Sequence, residues 1–69
     1  MKIEDLTHVM SIDTVANITW MKGGELQHKT VKFEDLVLSK PGTEHIKELV
    51  VVSIKIISEH GLNIHASKY

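Results

Sequence analysis

Cysteine and arginine are both missing from these 69 residues. Without cysteine there are no disulfides, thiolate zinc sites or thiol nucleophiles, and a reducing cytoplasm is the expected setting. All eight basic residues are Lys. The planar guanidinium fork that reads guanine edges and clamps phosphates bidentately is therefore lacking, which disfavours specific DNA contact. An AT-rich genome would produce the same Lys usage. The balance of 8 basic against 9 acidic residues, a formal charge of −1, gives no long-range pull toward nucleic acid or anionic lipid. No segment reaches the roughly 18 apolar residues of a membrane span. The opening Met1-Lys2-Ile3-Glu4-Asp5-Leu6 is acidic where a signal peptide needs an apolar run, so neither secretion nor membrane insertion is expected, and the Asn17-Ile18-Thr19 sequon is read as coincidence.

What is abundant is β-branched apolar side chain near the C-terminus. In Val50-Val51-Val52-Ser53-Ile54-Lys55-Ile56-Ile57, six of eight residues are Val or Ile, which reads as a strand. Glu59-His60-Gly61 then breaks the run before Leu62, Ile64 and Ala66 alternate with Asn63 and His65, giving a hairpin. With Glu59-His60-Gly61 as a three-residue loop, Ile56 falls opposite Ile64 and Ile54 opposite Ala66. Val50, Val52, Ile54, Ile56, Leu62, Ile64 and Ala66 then share one apolar face, while Val51 and Ile57 interrupt the polar one. A rival pattern, Ile46, Leu49, Val50, Ser53, Ile54 and Ile57, fits one long helix from Thr43 to a Gly61 cap. The density of Val and Ile favours the hairpin.

Upstream, Ile3, Leu6 and Met10 fall at helical spacing with Val9 beside them, and Glu4 and Asp5 lie where a helix dipole favours anions. Thr14 to Met21 alternates as a strand with Ala16, Ile18 and Trp20 on one face. Lys22-Gly23-Gly24 turns it into a second extended run, Glu25 to Phe33. The turn has two solutions: a three-residue loop pairs Trp20 with Leu26, and a two-residue Gly-Gly turn pairs Met21 with Leu26. Between the hairpins, Pro41-Gly42 marks a turn and Thr43 is the N-cap of a helical turn over 43–48. The expected fold is a single α+β domain over residues 1–69: a short N-terminal helix, a β-hairpin, a linker with a helical turn, and a second β-hairpin forming a small antiparallel sheet. A domain of this size buries only about 60% of its unfolded surface, so a partner or a second copy would help it.

Met1 to Leu6, Thr14 to Met21, Leu49 to Ile57 and Leu62 to Ala66 together resemble a loose group of small proteins from Firmicutes and their temperate phages. Some members, the modulators of repression of lactococcal phages, bind the phage repressor. The resemblance implies a protein-binding regulator of transcription, an antirepressor; it carries over no catalytic residues and no mapped binding site.

No catalytic, cofactor or metal set emerges from the residues themselves. The five His residues lack H-x-x-x-H or H-E-x-x-H spacing, the pairs Glu4-Asp5 and Glu34-Asp35 point apart on strand or helix, and Gly23-Gly24 lacks the strand and helix of a phosphate loop. An enzyme is not expected. The candidate site is an interface with another protein, a repressor in the sharper form, or with a second copy. Trp20, Met21, Phe33, Val51 and Ile57 are its apolar anchors, and Glu4, Asp5, Asp13, Glu34 and Asp35 are the acids set against basic side chains.

Overall fold

Ala16, Ile18 and Trp20 alternate with Val15, Asn17 and Thr19, and the backbone turns the first set inward, all of it buried. This strand is β1 (Val15–Lys22) of a computed structural model that describes residues 1–68. It follows a one-turn helix, α1 (Ile3–Leu6), and returns as β2 (Glu25–Lys32). The turn is the two-residue solution: Lys22 pairs with Glu25 and Met21 with Leu26, because Gly23 and Gly24 both adopt positive φ, 59° and 82°. A Gly-Gly pair takes that conformation without a Cβ penalty, and its twist matches that of the strands it joins.

Two short helices follow, α2 (Phe33–Val37) and α3 (Glu44–Lys47). The second occupies the expected turn. Thr43 stands at its N-cap position, but its hydroxyl donates back to the Lys40 carbonyl at 2.7 Å instead of accepting from the helix. Helix α2 is a correction, since Phe33 was expected to end a strand and the residues after it to be linker. The Phe33 and Glu34 amides instead donate to the carbonyls of Thr14 and Ile12, at 2.9 and 3.1 Å, which anchors the start of the helix beside the segment that enters β1. Its Phe33 and Leu36, at i and i+3, are both buried. At the N-terminus the helix is shorter than expected: α1 ends at Leu6, Met10 is only half-buried and Val9 is exposed.

The chain ends in the expected hairpin and not in a long helix: β3 (Val50–Ser58) and β4 (Gly61–Ser67). Its register differs from the expected one by two residues. Ser58 pairs with Gly61, so the connection is Glu59-His60, and Ile56 opposes Leu62 while Ile54 opposes Ile64. Gly61 begins β4 and is not a left-handed loop residue; its φ is not positive. A two-residue shift preserves which face each side chain takes, so the pairing of apolar with apolar survives. Irregularities between Val51 and Ser53 and between Ile56 and Ser58 do change the pattern. The first lets Val51 pair with Ala66 and pack against the core, although alternation put it on the polar face.

The two hairpins join through β1 and β4, which run parallel with Ala16 beside Leu62 and Ile18 beside Ile64. The sheet is thus mixed, in the order β2-β1-β4-β3, where an antiparallel one was expected. The two strands with the cleanest apolar alternation take the centre. Their inward faces, with Ile3, Leu6, Phe33, Leu36, Ile46 and Leu49 from the helical side, make one hydrophobic cluster. Phe33→Ala should lower the free energy of unfolding by about 3–5 kcal/mol in a urea titration, enough to unfold much of so small a domain, whereas Val37→Ala on the exposed side of the same helix should stay within about 0.5 kcal/mol.

Candidate functional site

Strand β3 is nine residues long and has a neighbour on one side only over most of its length. At its start, Met1 and Lys2 lie along the free side: Ile3 N–H donates to Leu49 O at 2.9 Å and Val51 N–H to Met1 O at 2.7 Å, with Lys2 bridged to Val50. This short cover is fastened at both ends of its charge pattern. Lys2 N–H donates to Asp5 Oδ2, and Lys2 Nζ donates to Glu48 Oε2, each at 2.9 Å. The hydrogen bond and charge of Glu48 raise the pKa of Lys2 above the ordinary lysine value. A raised pKa means that the pair helps the folded state below the ordinary value and that this help is lost as pH climbs through the raised one. Because both side chains are exposed, the pair positions the N-terminus more than it stabilises the fold.

Beyond Val51 the edge is open. Exposures of 59% for Val52, 42% for Ile54, 72% for Ile56 and 55% for Ile57 make this the most apolar exposed stretch of backbone edge in the described residues. Ile54 and Ile56 point to the same side as buried Ile64 and Leu62, and alternation alone makes them core. They stay exposed because the helical layer ends over β4: among β3 residues only Val51 packs against the hydrophobic cluster. The opposite edge is different in kind. Strand β2 carries Glu25, His28, Lys29 and Lys32, the charged residues with which natural edges resist pairing, while the open part of β3 has Lys55 as its single charge.

The apolar candidates divide between core and surface. Phe33 is wholly buried under the sheet and Trp20 is 8% exposed, so both serve the core, and Val51 is half-buried against it. Met21 and Ile57 are exposed. Sequence reasoning passed over Val52, Ile54 and Ile56 because period-2 alternation identifies a face without saying whether anything covers it. Among the acids, Glu4 and Asp5 sit on α1. Asp13, Glu34 and Asp35 form a separate group at the outer corner where the segment before β1 meets α2, held by the Glu34 amide bond to Ile12 O. Asp35 also accepts an ion pair from Lys40 at 3.1 Å.

Two other features complete the surface. The sheet face away from the helices is bare and polar. Thr30, Asn17, Asn63 and Lys55 form one row across the four strands and His28, Thr19, His65 and Ser53 the next. The rows are knitted by Asn17 Nδ2 donating to Asn63 Oδ1 at 3.1 Å and Thr30 Oγ1 donating to Asn17 Oδ1 at 2.7 Å. A shallow cleft of about 620 Å³ lies over them. At the far end of the sheet, a second cleft of about 430 Å³ is lined by Trp20, Met21, His45 and Leu49, with the Trp20 and His45 rings in edge contact at 5.9 Å. Among the described residues no three His, Asp or Glu side chains gather as a metal ion would require, and no helix is long and apolar enough to cross a membrane.

Comparison with known protein families, curated proteins and solved structures returned no match to this chain. Any function therefore has to be argued from the surface itself. Two outcomes are expected of it. Ile56→Lys should leave the unfolding midpoint nearly unchanged, within about 0.5 kcal/mol, because no packing is lost, while Ile64→Lys should prevent folding as judged by circular dichroism. Glu48→Gln should return the Lys2 ammonium toward the ordinary lysine pKa in an NMR titration without a measurable shift in the urea midpoint.

Proposed function

We propose that this protein is a small, non-catalytic regulatory module that works by binding protein, with β3 as its docking element. One observation carries the reading: an edge strand with open hydrogen-bonding groups and three exposed isoleucines, Ile54, Ile56 and Ile57, in a chain whose other edge is charged. Burying one such side chain is worth about 1.5–3 kcal/mol, and edge backbone groups add main-chain hydrogen bonds when another strand aligns with them. Apolar surface of this kind on so small a domain marks an interaction site.

In its sharper form the protein is an antirepressor that binds a DNA-binding repressor and blocks it. Supporting this form are the resemblance to the modulators of repression and the corner made by Asp13, Glu34 and Asp35, which lies across the sheet from β3. There the Asp13 and Glu34 carboxylates would meet basic side chains that otherwise hold DNA phosphates, while Asp35 is already paired with Lys40. Bound to such a repressor in a gel-shift competition, the wild-type protein should release operator DNA. A folded Asp13→Lys/Glu34→Lys variant should compete at least tenfold less well at low salt, and the gap should narrow as salt rises. Equal competition by the two would remove the electrostatic part of the reading.

The broader reading is tested on β3. Tagged wild-type protein and an Ile56→Lys/Ile57→Lys variant, both folded by circular dichroism, are offered the same purified partner or second copy. Binding by the wild type alone is the expected result, and equal binding by both would exclude β3 as the docking element.

A further inference from the structure

We propose that the occupant of the open β3 edge is a second copy of this chain, aligned antiparallel about a twofold axis through Ile54. The proposal rests on the reading of β3 as a docking element and names its partner. The open stretch Val52-Ser53-Ile54-Lys55-Ile56 is a palindrome of hydropathy: apolar, polar, apolar, polar, apolar. Antiparallel strands place directly opposed residues on the same face, so a self-pairing strand is judged by what each register sets opposite what. Centred on Ile54, the register opposes Ile54 to Ile54, Val52 to Ile56 and Ser53 to Lys55, so every pair is matched. Centred on Lys55, it sets two ammonium groups directly against each other and Ser53 against Ile57. Registers shifted by one residue place Ile54 opposite Lys55 in one direction, and Val52 opposite Lys55 in the other.

The surroundings fit the same register. Ser53 to Ile56 pair with β4 without interruption while Val52 is the unpaired residue of the bulge, so the twofold would sit on the regular stretch at Ile54, with the Val52–Ile56 pairs at its margins. Met1 and Lys2 cover the edge only as far as Val51 and leave Val52 to Ile56 free. On the side beneath the helices, Ile54 and Ile56 of each copy would continue the apolar layer across the axis. On the bare face, the row Thr30-Asn17-Asn63-Lys55 would run on into Ser53, His65, Thr19 and His28 of the second copy, giving one polar face of eight strands. An isologous contact of this kind closes on itself as a dimer. Pairing β3 with the charged β2 edge of another copy would instead build an open chain of molecules.

Because the sequence has no cysteine, single cysteines report the register directly. Directly opposed strand residues lie within disulfide range, whereas diagonal neighbours at about 7–8 Å exceed it. Under mild oxidation Ile54→Cys should crosslink to its own copy, Lys55→Cys alone should not, and a mixture of Ser53→Cys with Lys55→Cys should form the mixed dimer. Sedimentation of the wild type should show a monomer–dimer equilibrium between roughly 10 µM and 1 mM, the range of a small interface. Ser53→Glu, which sets a carboxylate opposite each Lys55, should tighten it by roughly two- to thirtyfold.

A dimer in which Lys55→Cys crosslinks and Ile54→Cys does not would overturn the register. A folded wild type that stays monomeric throughout would overturn the second copy as occupant, without touching the reading of β3 as a docking edge. That reading fails only if the Ile56→Lys/Ile57→Lys variant binds a purified partner as the wild type does.

Discussion

The parallel pairing of β1 with β4 is the contact on which the rest of this protein depends. It brings together strands separated by most of the chain, aligns Ala16 with Leu62 and Ile18 with Ile64, and gives the helices one continuous apolar floor. A hairpin alone is marginal in water. Two hairpins joined edge to edge through their most apolar members make a four-stranded sheet with one buried face. The Val15 amide, donating to His60 O at 2.8 Å, extends this seam to the second turn, while Thr14 O and Ile12 O tie the same entry segment to α2. One stretch of backbone thus holds both hairpins and a helix.

The order β2-β1-β4-β3 that follows from this seam sets the character of the two free edges. The helices have four, five and four residues, and they cover the centre of the sheet without extending over β3. An isoleucine-rich strand is consequently left at the rim. Natural edge strands are often charged or covered, and both devices are present elsewhere in the molecule: charge on β2, and a two-residue cover, Met1-Lys2, at the start of β3. From Val52 to Ile57 no cover is present and Lys55 is the single charge, which singles out that segment as the surface that most needs a partner. The bare polar face, with its Asn17, Asn63 and Thr30 bonded to one another, has no such need, because its side chains satisfy each other and water.

Much of the fold was legible. Alternation located β1 and its buried face, the Val/Ile density distinguished a strand from a helix over Val50–Ser58, and Pro41-Gly42-Thr43 located α3. Helix α2 was not, since Phe33 to Val37 is too short for periodicity to register and its start depends on backbone bonds to Ile12 and Thr14. The same reason explains the candidate site. Exposure of Met21 and Ile57 agreed with their place on the polar side of an alternating strand, but Ile54 and Ile56 obey the inward alternation and are exposed all the same.

By itself the sequence determined the local elements: which runs extend, where glycine pairs allow tight turns, and which side chains share a face, because these follow from φ/ψ preference and from the period of two. Tertiary structure alone decided the parallel seam, the two-residue turns, the bulge that set Val51 against the core, and how far the helices reach. Those outcomes depend on which strands compete for the centre of the sheet and on how much apolar surface three one-turn helices are able to cover, and neither quantity is written in any local window of the chain.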